Sequence, residues 1–474
     1  MSPALAPRSE PSAMAGPTRV LVLALVLAGC GIAPAPALRH SPGRDAIRAA
    51  YVLHTGDAGL VARVVTRAAR CPEIRLDGAA PQPMSERAGP ATLPARMGGT
   101  EASDRPAVFR LRSCETVLPP DTQTLSVDGL TLPLPRREIR RVVIVGDTGC
   151  RLSQQLNQDC NDPAAWPFAR IAERAAAMKP DLVIHLGDMH YREGPCPVTR
   201  PGCAGSPWGY GDDTWEADLF HPAAPLLAAA PWVVVRGNHE SCARGGQGWF
   251  RFMDPQPLTE LRSCNDPRND AQGDFSEPFA VPLDAQTQLV VFDSSLAGLK
   301  PYGAQDATGQ RYARLLAQAD ALAQRAPHNL FLNHHPLLAY APRDGGTAVW
   351  PGNAGLQSVF ARQHGLRLFA PQVDMAWHGH VHLFEALEFA SNHPFTLVVG
   401  NSGSAADVPL PSPLPAAPVV WPGAQLARIT THADHGFTTL DRADGGWALT
   451  AWGADGRPLA HCDLRGATGR CRTP

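Results

Sequence analysis

Residues 141–149 read Arg141-Val142-Val143-Ile144-Val145-Gly146-Asp147-Thr148-Gly149. Four consecutive β-branched residues predict a buried strand. Gly146 then lets the backbone turn sharply, so that the short side chain of Asp147 points off the end of that strand. Downstream the same unit recurs. Residues 182–186 predict a strand that runs into Gly187-Asp188-Met189-His190-Tyr191, and residues 232–235 one that runs toward Gly237-Asn238-His239-Glu240. Residues 330–332 lead into Asn333-His334-His335-Pro336, and residues 373–377 toward Gly379-His380-Val381-His382. Further strands are expected at 289–292 and 396–399. Helical patterns lie between, at 163–178 with Asp162 as N-cap and Pro163 in the first turn, and at 215–229, 311–325 and 356–363. Strands alternating with helices imply an α/β domain, and open α/β sheets hold ligands just past the carboxyl ends of their strands, where these polar residues fall.

Upstream the character differs. Residues 51–54, 60–66, 108–112 and 125–132 are short, strand-like and separated by Gly/Pro-rich turns, which predicts a small β domain over 46–136. A charged junction at 136–141 leads into the larger unit, 137–460, with 461–474 as a tail. Two units suit a 474-residue chain. The 47 prolines and 43 glycines favour long ordered loops, and 405–422 reads as a long Pro/Ala-rich one. A net charge of −2 with no basic run gives no footprint for nucleic acid or anionic lipid.

The N-terminus carries its own signal. Arg8 and Arg19 precede an apolar run at 20–28 and then Leu27-Ala28-Gly29-Cys30. The run is well short of the roughly 20 residues that span a bilayer. It resembles a bacterial lipoprotein signal, with Met14 as an alternative start. That resemblance implies cleavage before Cys30 (signal 1–30), lipidation of its thiol, a flexible tether at 31–45 and a periplasmic protein anchored in the outer membrane. Eleven cysteines less Cys30 leave ten, an even number suited to an oxidising compartment. Their spacing suggests the pairs Cys71 with Cys114, Cys150 with Cys160, Cys196 with Cys203, Cys242 with Cys264, and Cys462 with Cys471.

Any one of the polar loops alone reads as an ordinary turn. Five in order, each after a strand, read as a site. Carboxylate, amide, imidazole and phenolate donors suit iron, zinc or manganese. In order and type the loops resemble the calcineurin-like metallophosphoesterases over residues 140–400, and within them the purple acid phosphatase branch. Two features point to that branch: Asp147-Thr148-Gly149 lacks a histidine two residues after the aspartate, and Gly187-Asp188-x-x-Tyr191 supplies a phenolate.

The resemblance implies a four-layer αββα sandwich preceded by the small β domain, and two metal ions. One ion is held by Asp147, Asp188, Tyr191 and His382, the other by Asp188, Asn238, His334 and His380, with Asp188 shared. A phenolate favours a trivalent ion, so Fe(III) is expected at Tyr191 with Fe, Zn or Mn as the second. The implied reaction is hydrolysis of a small phosphate ester by hydroxide that the cations make available, in line with the leaving oxygen, with His239 as general acid. His190, His335, Arg192, Arg236 and Arg343 are candidate phosphate contacts. The segment Leu383-Phe384-Glu385 departs from the aromatic and basic continuation of purple acid phosphatases. A phosphomonoesterase is the leading expectation. A phosphodiesterase, a nucleotidase or a non-catalytic phosphate- or metal-binding lipoprotein stays open, as does a partner for the β domain.

Overall fold

The computed structural model describes residues 44–57 and 59–474, which belong to one compact unit, Ser41–Pro474. The signal sequence, Cys30 and most of the expected tether lie outside the described residues. Along Arg141–Val145 alternate side chains face opposite ways. Val142 and Ile144 enter one apolar core and Val143 and Val145 another, all fully buried. A strand apolar on both faces has to be covered on both.

One cover is a second sheet. Arg141–Val145 pairs in parallel with Leu182–His185, which pairs in parallel with Trp232–Val234; on its other side lies antiparallel Gly436–Ala443. These four are the middle of an eleven-stranded sheet. A seven-stranded sheet contains Thr287–Val291, His328–Leu332, Val373–His378 and Phe395–Val399, all parallel and adjacent in that order. The two sheets pack through Val142, Ile144, Leu182 and Ile184 against Leu289, Leu330, Met375 and Trp377.

The other covers are helices. Phe168–Ala177 buries Phe168, Ile171, Ala172 and Ala175, the spacing of one helical face, against Val143, Val145 and Val183. Ala307–Ala323 and Ala354–His364 cover the far side of the seven-stranded sheet, packing Tyr312, Leu316 and Phe360 on Val290, Phe331 and Ala376. The fold is therefore the four-layer αββα sandwich, with mixed α and β content and an N-terminal β domain.

That β region has a core of its own but shares a sheet with the rest. Val52, Val64, Ile74, Leu125 and Val127 cluster between Ile47–Gly56 and Gly59–Thr66 on one side and a four-stranded sheet on the other. Ile47–Gly56 also pairs in parallel with Trp232–Val234, so 46–136 extends the large sheet at one end. At the opposite end, Pro458–Arg465 and Thr468–Arg472 form a hairpin joined by Cys462–Cys471. All five disulfides expected from spacing are formed. Five such bonds mark an oxidising compartment, extracellular or periplasmic. No helix among the described residues is long and apolar enough to cross a membrane.

Two helical expectations are corrected. The helix expected at 163–178 starts only at Phe168. Asp162 instead accepts the N–H of Ala164 in a turn, because Pro167 disfavours helical geometry at Trp166, whose indole N–H goes to the Thr148 carbonyl at 2.9 Å. The helix expected at 215–229 is three short pieces, Asp212–Trp215, the π-turn Glu216–Phe220 and Ala224–Leu227. Pro222 has no N–H and collides with the preceding turn, so a continuous helix cannot pass through it.

Candidate metal centre

The five loops meet at the carboxyl ends of the parallel strands of both sheets. Three of their non-glycine residues are held with positive φ: Asp147 at 56°, Asp188 at 57° and His380 at 70°. Left-handed backbone is costly for residues with a Cβ and persists where the surroundings impose it, often at functional sites. The glycine before Asn238 has a different purpose from the turn read in the sequence. A Cβ on Gly237 would lie 2.1 Å from Asp188 Oδ1, so only glycine lets the second and third loops approach this closely.

Seven side chains form two overlapping groups. In the first, Tyr191 Oη lies 2.8 Å from Asp147 Oδ1, 2.8 Å from Asp188 Oδ2 and 2.9 Å from His382 Nε2. In the second, His334 Nε2 lies 3.1 Å from Asp188 Oδ2 and 3.1 Å from Asn238 Oδ1, and His380 Nδ1 lies 3.1 Å from that same amide oxygen. Ligand atoms of Asp188, His334 and His380 all fall within 4.8 Å of one another. Asp188 belongs to both groups.

The proton inventory shows what this donor set suits. His382 Nδ1 faces the Ala405 carbonyl at 2.7 Å, and His334 Nδ1 faces the Leu186 carbonyl at 2.8 Å. A carbonyl only accepts, so both neutral rings carry their proton on Nδ1 and turn an Nε2 lone pair inward. Around Tyr191 Oη a single phenolic proton thus faces two carboxylates and one imidazole lone pair. Around His334 Nε2 there are only acceptors. Buried acceptors crowded in this way fit cations. A proton stands in for such a cation when the ring is free of metal: against burial, which lowers it, Asp188 raises the His334 imidazole to about 9, so the ring takes a second proton on Nε2 beside Asp188. Burial, then Asp147 and Asp188, pushes the Tyr191 phenol well above its ordinary range.

Three carboxylates, buried Glu240 and Asp218 and half-buried Asp407, fix the loops from behind. Glu240 accepts backbone N–H groups of Gly237 at 3.0 Å, Asp188 at 2.9 Å and Met189 at 2.8 Å. Asp218 accepts Cys150 N–H at 3.1 Å, Tyr191 N–H at 3.0 Å and Arg192 Nε at 2.6 Å. Asp407 accepts the N–H of His382 at 2.9 Å, which ties the start of the 405–422 loop to the centre. None of these three was assigned a role from sequence. Glu240 lies in the loop Gly237-Asn238-His239-Glu240, but nothing local marks a carboxylate that serves backbone groups.

His239 lies beside the first group, its ring centroid 3.9 Å from that of Tyr191 and its Nε2 3.9 Å from Asp188 Oδ2. Its Nδ1 is 3.3 Å from Glu193 Oε1, and Arg244 is bonded to both oxygens of Glu193. Burial and then Arg244 lower this imidazole to about 4, against the pull of Glu193 and Asp188.

The candidate phosphate contacts fare differently. His335 stays at the centre, its ring 4.2 Å from that of His380 and its Nδ1 3.3 Å from Ser294 Oγ. The other four are committed elsewhere. His190 is fully buried, with Nε2 3.0 Å from Thr214 Oγ1 and its ring packed on Tyr210 and Trp215. Arg192 is paired with Asp218, and Arg236 donates to the carbonyls of Glu240 at 2.8 Å and Gly273 at 2.6 Å. Arg343 lies over Trp350 and bonds Asp344. A buried guanidinium takes whatever acceptors surround it, and proximity in sequence does not show which.

Glu385, in the segment that departs from purple acid phosphatases, is also buried. Burial pushes its carboxyl up to about 8, reinforced by Asp407 and opposed by the N–H of Tyr340. A native value above the unfolded one means that the native state holds a proton the unfolded chain has released. The stabilisation is complete below the unfolded value and disappears as pH rises through about 8. Glu385→Gln should therefore flatten the pH dependence, with its thermal midpoint rising relative to wild type between about pH 5 and 9. Parallel melting curves for metal-free protein across that range would contradict the assignment.

The chain belongs to the calcineurin-like phosphoesterase family, whose model matches residues 140–384, just over half of its length. Comparison with curated proteins finds no sequence match. Among solved structures it is similar to the purple acid phosphatase PPD1 of yellow lupin (Lupinus luteus), with TM-score 0.52, 16% identity, and coverage of 90% of this chain and 74% of that one. It is also similar to PhoD, with TM-score 0.51, 12% identity, and coverage of 93% and 94% respectively. At such identities these likenesses establish the shared fold. Family and site together make the protein a phosphoesterase; its family uses a dinuclear metal centre, and Asp188, His334 and His380 form a group that could hold a metal ion.

Proposed function

We propose that the protein hydrolyses phosphate monoesters, as a periplasmic lipoprotein anchored through Cys30, with Asp147, Asp188, Tyr191 and His382 holding one ion and Asp188, Asn238, His334 and His380 the other. The observation that carries this reading is the crowding of acceptor atoms around Tyr191 Oη and His334 Nε2. A phenol held protonated by burial and two carboxylates gives up its proton only to a strong cation, which favours Fe(III) at Tyr191, with Fe, Zn or Mn beside it. When bound, the two ions polarise the phosphoryl group and make hydroxide available near neutral pH.

The chain's own residues do the rest. Asp188, common to both groups, would hold both ions. The Nδ1–H bonds of His334 and His382 fix the rings that hold them. Asn238 and His380 are half-buried, so this side of the centre is open to an ester. His239 sits within reach of the leaving oxygen, and Glu193 orients its ring and stabilises its protonated form. An anionic substrate adds to the pull that Glu193 and Asp188 exert on that proton.

The test is elemental analysis and a visible spectrum of protein purified without added metal, followed by a panel of aryl phosphate, bis-aryl phosphate and nucleotide substrates. Two transition-metal ions per chain, a charge-transfer band and preference for the aryl phosphate are expected. Preference for the diester or the nucleotide would replace the monoesterase reading with a phosphodiesterase or nucleotidase one. Absence of a transition metal from active protein would refute the metal assignment.

A further inference from the structure

Four arginines surround the centre, and three are neutralised locally. Arg192 is paired with Asp218, Arg244 with Glu193, and Arg236 lies 3.8 Å from Asp274 and 3.6 Å from Asp293. Arg151 differs. Its guanidinium carbon lies 4.7 Å from the centroid of the Tyr191 ring, and its buried Nε has no hydrogen-bond partner among the described residues. No carboxylate among them pairs with it, although the side chain is only half-buried.

The mount is rigid where the charge is bare. Cys150, the preceding residue, is bonded to Cys160. The Arg151 N–H donates to Gln158 Oε1 at 3.1 Å, and the Gln158 N–H donates to the Arg151 carbonyl at 2.8 Å. A cation mounted next to a site suited to two further cations would be repelled by them. Its position becomes favourable when an anion lies between, and Asp147 and Asp188 are already shared with the ions. A planar guanidinium suits the paired oxygens of a phosphoryl group.

We propose that Arg151 binds a non-bridging oxygen of the substrate's phosphoryl group and selects dianionic monoesters over monoanionic diesters. The inference rests on the phosphoesterase reading above and adds the source of its specificity. A monoester has three non-bridging oxygens and a diester has two. With two oxygens turned toward the two ions that the ligand groups would hold, only the monoester would keep a third for Arg151.

The test uses the mature, metal-loaded protein with R151Q and R151K, checking first that metal content matches wild type. Calorimetric titration with inorganic phosphate should show affinity reduced at least about tenfold in R151Q and partly restored in R151K, the loss expected for one charge-assisted contact. In parallel, kcat/KM for an aryl phosphate should fall at least about tenfold in R151Q while that for a bis-aryl phosphate changes less than about threefold. Unchanged phosphate affinity would overturn the proposal, as would equal losses on both esters. A shifted visible band with unchanged phosphate binding would do so too, assigning Arg151 to tuning the Tyr191 phenolate. If wild type cleaves no ester yet binds phosphate through Arg151, the enzymatic reading fails and the anion site stands.

Discussion

Asp188→Ala is expected to release both metal ions and to lower kcat by at least about 10³, more than removal of one charge-stabilising donor costs. Asp188 is the residue common to both groups: its Oδ2 lies 2.8 Å from Tyr191 Oη and 3.1 Å from His334 Nε2, and its Oδ1 accepts the N–H of His239 at 2.8 Å. Loss of any other ligand damages one ion site, whereas loss of this one damages two. The fold should survive, because Asp188 shares a buried pocket with Glu240, whose carboxyl is pushed up to about 8 by burial and by the Asp188 charge. Removing that charge relieves repulsion in the metal-free protein, a common trade of stability for function at active sites. Elemental analysis and melting of metal-free protein check both halves. A variant retaining two ions per chain, or one that loses metals only because it unfolds, would contradict this account.

His239→Ala should act on chemistry alone. His239 touches Tyr191 and approaches Asp188 but is not needed to complete either ligand group. Metal content should hold while kcat drops by about 10² to 10⁴, the range for a positioned general acid. The discriminating measurement is leaving-group dependence. An alkyl phosphate, whose leaving oxygen must be protonated, should lose most of its rate, and an activated aryl phosphate, whose oxygen departs as a stable anion, should lose little. A uniform loss across both would reduce His239 to a packing residue, and a loss of metal would make it part of the cage.

Much of this was legible before any coordinates. Strand-then-glycine-then-polar-residue is a local pattern: the apolar run sets the strand, the glycine ends it, and the side chain beyond has nowhere to go but the sheet's carboxyl edge. Repeating that pattern brings Asp147, Asp188, Asn238 and His380 to one edge, while the resemblance to the family added Tyr191, His334 and His382 to the set. The disulfides were legible for a similar reason, since partners 7 to 43 residues apart close short loops. Helix limits were less so, because Pro167 and Pro222 act against a composition that favours helix.

The sequence by itself determined the strands, their alternation with helices and the polar side chains just past the strand ends, because hydrophobic period and residue chemistry are properties of short segments; the four layers followed only from the family resemblance. Tertiary structure alone decided which charges are free. Arg192, Arg236 and Arg151 look alike in the chain, yet Arg192 meets Asp218 and Arg236 the Gly273 carbonyl, both from distant loops, and Arg151 meets the face of Tyr191. It also decided that Glu240 and Asp218 serve backbone groups and that residues 46–136 continue the large sheet through Leu53 and Trp232. Hydrogen bonds between backbones, and carboxylates that satisfy them, carry no side-chain signature, so they emerge only when segments far apart in the chain are brought together.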